Sequence, residues 1–262
     1  MLVVLLLITD ALLLLRLAGW PHFKYYVAKD VQFYFFNVTL ITVINLGSAV
    51  VDQFKNINES LALMASRWYD RGTITLTVRK ERIGYKPDSF PAELRRLQQY
   101  HNRLCDLIDK FNEVMGSVLL LAILYIVTSL LWDVSAVIEF FVKGCVIEGV
   151  RLDDLVLLDF LFWILISIGQ TMFMARVGNA VVDENKRTLN YCYEFMNKLP
   201  SIPDTLVQRI RDNLRELANQ VEARRPALTA AGIVKIDFRI LGIVTTNTVT
   251  YVVVVLQFLF KQ

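Results

Sequence analysis

The 262-residue chain has little charge and little cysteine. Asp, Glu, Lys and Arg together make up 20% of it against 55% hydrophobic residues, and the mean hydropathy is +0.45. That balance excludes an ordinary soluble domain and makes the bilayer the solvent of this protein. The three cysteines, Cys105, Cys145 and Cys192, stand far apart without CxxC or zinc spacing, so neither a metal module nor a disulfide framework is expected and all three read as packing residues. GxGxxG, P-loop and HExxH motifs are missing, and no nucleophile has a base near it in sequence. An enzyme is not expected, and no cofactor is implied. No basic residue precedes the apolar stretch Leu2 to Ile8, which argues against a signal peptide and for a membrane protein truncated at its start. The net charge of +3 is modest, and no nucleic-acid partner is expected.

Long apolar runs are what the chain does have. They fall at residues 1–20, 31–51, 115–141, 155–175 and 240–260. A run of about 20 residues crosses a hydrocarbon core about 30 Å thick at 1.5 Å per residue. The expected fold is an all-α polytopic membrane protein with about five transmembrane helices and membrane lipid as its surroundings. Within the first run Asp10 and Arg16 lie six apart, too far to pair on one helix, and Pro21 closes it. The cluster Phe33 to Phe36 suits an interfacial belt. Asn37-Val38-Thr39 is a glycosylation sequon placed too close to the bilayer to be readily used. Asp10, Asp133 and Asp159 read as proton-relay groups of a transporter, or else Asp133 and Asp159 are acids near span ends that reach interfacial water.

Residues 52–114 and 176–239 are polar by comparison and read as cytoplasmic helical segments. From Ala92 to Val114 the positions Leu94, Leu97, Leu104, Leu107, Ile108, Phe111 and Val114 recur at helical spacing, predicting an amphipathic helix that runs into the third span. A second helix is expected around Val181 to Met196. A third starts at a capping-box-like Ser201 and Asp204, ends at Arg224-Arg225-Pro226, and carries the apolar stripe Leu206, Ile210, Leu214, Leu217 and Val221. That stripe has too few partners within one such layer and is expected to pack against neighbouring subunits. His101 and Cys105, one turn apart, form either half of a metal site or a surface histidine beside a packed cysteine. Basic residues load both polar segments, from Lys55 to Lys110 and from Arg176 to Arg239, whereas the link between the third and fourth spans holds only Lys143 and Arg151. The positive-inside rule then places both polar segments in the cytoplasm, and five crossings put the C-terminus outside.

The last run is the most informative. On a helix, Asn247, Thr250 and Gln257 fall on one stripe with Val254 between the last two, while the opposite face is Val and Leu. Polar groups at membrane depth are costly unless they meet a partner or water. The stripe should face protein or water; helix-to-helix hydrogen bonding within one subunit and a water path are both open on periodicity alone.

Thr250-Tyr251, five apolar residues and Gln257-Phe258 resemble the signature that closes the last helix of insect gustatory receptors. Pro226-Ala227-Leu228-Thr229-Ala230-Ala231-Gly232-Ile233-Val234-Lys235-Ile236-Asp237 is similar to the stretch leading into that helix. Leu94-Arg95-Arg96-Leu97 through Leu104-Cys105 and Phe111-Asn112 resemble the segment before the family's fifth helix. The family usually has aromatics where Leu228 and Ile233 stand, and its members are longer; this chain resembles spans three to seven. The resemblance implies a gustatory chemoreceptor of sensory-neuron plasma membranes, gated by a small-molecule tastant. It implies a cation channel of four subunits, a homo- or hetero-tetramer, with the last helix lining the pore. Gln257 would then form an amide ring, Val254 an apolar gate, and Thr250 and Asn247 an inner vestibule, with Tyr251 and Phe258 serving folding or assembly. Val252 stands where the sugar-receptor branch has Glu, which makes a sugar less expected. The alternatives are a small polytopic transporter and a nonfunctional receptor fragment.

Overall fold

The computed structural model of the chain describes residue 31 and residues 34–68, 89–143, 146–147, 150–151, 154–200 and 204–259. The expected first span, residues 1–20, lies outside the described residues, as does Cys145. Among the described residues the order is α1 (Tyr34–Trp68), α2 (Ser89–Lys143), β1 (Val146–Ile147), β2 (Val150–Arg151), α3 (Asp154–Lys198), α4 (Thr205–Arg224), β3 (Thr229–Ala230), β4 (Val234–Lys235) and α5 (Arg239–Leu259). The architecture is all-α and polytopic: α1, α2, α3 and α5 are each long and apolar enough to cross a membrane. The four strands form two small ribbons, and the polar link between α2 and α3 is the antiparallel pair β1–β2, in register Val146 to Arg151 and Ile147 to Val150.

Three helices outrun the apolar runs that contain them. The 55 residues of α2 extend about 80 Å at 1.5 Å per residue, against a hydrocarbon core of about 30 Å. More than half of α2 therefore stands outside the hydrocarbon core. α3 likewise continues from its apolar run to Lys198 without a break, joining what the sequence suggests as two elements, and stops before Pro200, whose ring restricts the residue ahead of it. α1 runs on past Val51 to Trp68. The polar residues Asp52, Lys55 and Glu59 lie on its outer face, while Phe54, Ile57, Leu61 and Met64 repeat at three- and four-residue steps and are buried.

The chain divides into two compact units. The apolar unit comprises the chain up to Asn45, Met115–Arg176 and Ala230 onward; the polar unit comprises Leu46–Val114 and Val177–Thr229. In the polar unit α1 and α3 approach at Gly47, where an added Cβ would lie 2.5 Å from Val177 Cγ1, closer than any side chain tolerates. α4 starts at Asp204, extended at φ −101°, whose carboxylate accepts from Leu206 N at 2.8 Å. The cap is thus Asp204 alone among the described residues, since Ser201 lies outside them. Arg225 ends α4 in the left-handed region at φ 33°, with Pro226 behind it.

The buried face of α4 is Val207, Ile210, Asn213, Leu214, Leu217, Ala218 and Val221. Most of the stripe expected at a subunit contact is thus buried within the single chain. Ile210, Leu214 and Leu217 are 0% exposed within a single chain, and Leu206 lies at the margin with Val207 in its place. Within the chain α4 is joined to α2 through Gln220 and Arg224 and to α3 through Asn185. Asn58 of α1 donates to the Glu184 carbonyl at 3.0 Å and to Glu184 Oε2 at 2.9 Å, and accepts from Thr188 at 2.7 Å, so the buried amide is fully bonded.

In the apolar unit Phe36 stacks on Tyr125 with centroids 4.4 Å apart, and the Gln170 amide donates to Asn37 Oδ1. Asn37 is buried in this contact, so its sequon is used for packing between α1 and α3.

Candidate functional site

Among the described residues α5 is held along one face. Ile240 and Val244 are buried, Thr248 bonds the Val244 carbonyl at 2.8 Å, and the Tyr251 and Ser135 hydroxyls share a 2.8 Å hydrogen bond that ties α5 to α2. Val252, Val255 and Leu256 continue this half-buried face. Steps of three and four put all of these on the side that meets the chain.

The other face is open. Thr246, Asn247, Thr250 and Gln257 are all exposed, and Val254 between the last two is 42% exposed. Thr250 bonds back to the Thr246 carbonyl of its own helix at 2.8 Å. Asn247 and Gln257 make no side-chain hydrogen bond among the described residues. Among the described residues, Asn247 and Gln257 thus take no part in side-chain bonding between helices. Tyr251 is half-buried and reaches α2 through its bond to Ser135. Phe258, two turns on from Tyr251 and next to the last residue of α5, is 71% exposed.

α5 enters from a segment that is itself anchored. Asn112, on α2, donates through Nδ2 to the Ala227 carbonyl at 2.8 Å and accepts at Oδ1 from Thr229 N at 2.9 Å. One side-chain amide here copies the pairing of a strand, fixing the chain between α4 and α5. Sequence reading found Asn112 only as part of a resemblance; its partners lie 115 and 117 residues away, beyond any local pattern.

His101 is fully buried, not a surface residue. Its ring nitrogens lie 3.8 and 3.9 Å from Cys105 Sγ, and burial pushes the Cys105 thiol up to about 11, so it is not a ready metal ligand. No group of three or more His, Cys, Asp or Glu side chains is gathered for a metal among the described residues. Asp133 is buried in the apolar half of α2, and Asp10 lies outside the described residues. A cleft of about 450 Å³ opens in the polar unit between Met64 and Arg67 of α1 and Arg96 and Tyr100 of α2.

The family model described as 7tm chemosensory receptor matches residues 1–262. A Drosophila melanogaster protein named "Putative gustatory receptor 28a" is 24% identical over 172 residues, which cover 64% of this chain and 36% of that relative. The match thus spans about a third of the relative's length.

Proposed function

This chain belongs to the 7tm chemosensory receptor family, and from that premise we propose that it is a subunit of a ligand-gated cation channel that responds to a small-molecule tastant. The taste modality is carried over from the name of the Drosophila relative. The observation that supports conduction is the open polar face of α5. Asn247 and Gln257, uncharged amides at membrane depth with no side-chain hydrogen bond among the described residues, are stable there only against a neighbour or water. Four copies of α5 around one axis supply both: each helix keeps its Tyr251 face on its own subunit and turns Asn247, Thr250, Val254 and Gln257 to a shared water path. A ring of Gln257 amides replaces part of a cation's hydration without adding charge, which suits weak selectivity among cations.

In this reading the protein is a multi-pass plasma-membrane protein of sensory neurons, and the basic polar segments are cytoplasmic with the C-terminus outside. The buried α4 face holds each protomer's polar unit together, so subunits meet through other surfaces. The transporter alternative gains no support from the family, which is one of receptors.

The test is electrical. The protein is expressed with a family partner subunit, and a panel of tastants is scanned for evoked current. The expected result is a cation current whose divalent permeability rises several-fold in Gln257→Glu, because a carboxylate ring binds divalent ions far better than an amide ring. Surface-expressed protein whose evoked current is identical in ion selectivity before and after the substitution contradicts the proposal.

A further inference from the structure

His101 lies in the polar part of α2, outside its apolar segment, where three helices meet around it. Nε2 is 2.9 Å from Asn185 Oδ1 of α3, and Nδ1 is 3.1 Å from Gln220 Nε2 of α4. Both amides are themselves fixed by backbone carbonyls. Asn185 Nδ2 donates to the Val221 carbonyl at 3.4 Å, and Gln220 Nε2 donates to the Gln98 carbonyl at 3.0 Å. An amide nitrogen only donates and an amide oxygen only accepts. Asn185 therefore offers His101 an acceptor, which requires a proton on Nε2, and Gln220 offers a donor, which requires a lone pair on Nδ1. The ring is held neutral, in one tautomer.

A second proton can go only to Nδ1. There it would point an N–H at the N–H of Gln220, and the conflict has two exits. If the Gln220 amide flips, its oxygen meets the Gln98 carbonyl; if it swings out, both bonds are lost. Either exit breaks the link between α4 and α2. We propose that His101, Gln220 and Asn185 form a proton-operated latch that fastens α4 to α2 and releases it on acidification.

The surrounding charges favour the closed state. From α4 the Arg224 guanidinium opposes a second positive charge, and it is paired with Asp106 and Asp109 of α2 at 2.7 and 3.4 Å. On α3, Glu184 beside Asn185 is bonded to Asn58 and Arg187. From α1 the Phe54 ring meets the imidazole edge-on at 5.7 Å, and Cys105 contributes a protonated thiol. Among the described residues no carboxylate is hydrogen-bonded to the ring. Burial, with Arg224 adding to it against the Asn185 bond, holds the His101 pKa below its ordinary 6.5. The unfolded chain then takes up a proton that the folded one resists. Stability is complete above 6.5 and falls as pH drops from there toward the lowered folded value.

Resting on the topology proposed above, the proton comes from the cytoplasm. The stimulus chemistry that fits is a weak acid that crosses the membrane undissociated and releases its proton inside.

The experiment does not depend on that topology. The purified full chain in detergent is melted at about pH 7.5 and about pH 5.5. The wild type should lose at least about 3 °C more on acidification than His101→Gln, whose amide keeps one donor and one acceptor but cannot titrate. Gln220→Glu, which gives the imidazolium a carboxylate, should likewise lose less than the wild type. If His101→Gln does not fold, 15N-histidine spectra decide: an unprotonated Nδ1 with a protonated Nε2 near neutral pH supports the latch. An equal acid loss in wild type and His101→Gln overturns it, as does an imidazolium at about pH 7.5.

Discussion

Leu214→Glu is expected to leave no folded protein. Leu214 is 0% exposed between Ile210 and Leu217 on the inner face of α4. Removing a buried leucine costs about 2–5 kcal/mol. Placing a carboxylate there adds several kcal/mol, since the side chains around it are apolar. The sum reaches the 5–15 kcal/mol that typically holds a whole domain together. Size-exclusion chromatography should show aggregate or nothing. Had the stripe faced a neighbouring subunit, the same substitution would yield folded, dispersed protomers. Leu107→Glu, at a position 52% exposed on α2, serves as control and should leave the protomer folded.

The second large effect is expected at Val254. In the proposed channel it is the apolar ring between Thr250 and Gln257, and a narrow ring of aliphatic side chains closes a path by excluding water. Val254→Ser places four hydroxyls there and removes the barrier to wetting. Current without tastant should rise at least about tenfold, the equivalent of about 1.4 kcal/mol shifted toward the open state. Val254→Ile, which keeps the ring apolar, should not raise it. Because Val254 is 42% exposed and packs little within its own chain, neither substitution should lower the amount of folded protein. Patch recordings from matched surface levels make the comparison.

How much of this could be read from the sequence depends on background. The α5 stripe is legible because Asn247, Thr250 and Gln257 stand out against uniform aliphatic residues, and because helical period alone assigns them one face. The lower half of α1 was hidden by the opposite circumstance. Asp52, Lys55 and Glu59 interrupt the apolar count, although Phe54, Ile57, Leu61 and Met64 keep the helical step beneath them. The partners of the α4 stripe are equally hidden, because Gln220 and Arg224 reach α2 across 122 and 115 residues of chain. The histidine latch was beyond reach for another reason. His101 meets Asn185 and Gln220 across 84 and 119 residues, and a histidine among arginines on an amphipathic helix gives no local sign that it is buried. Long-range pairing of neutral amides leaves no periodic trace.

The central claim is that the open face of α5 lines a water path in the assembled protein. Cysteines placed singly at positions 247, 250, 254 and 257, and at 252 and 255 on the packed face, can be tested with a water-soluble thiol reagent during activation. The account predicts rapid modification and altered current at the first four positions, and slow modification at the other two. Equal rates on the two faces would contradict it.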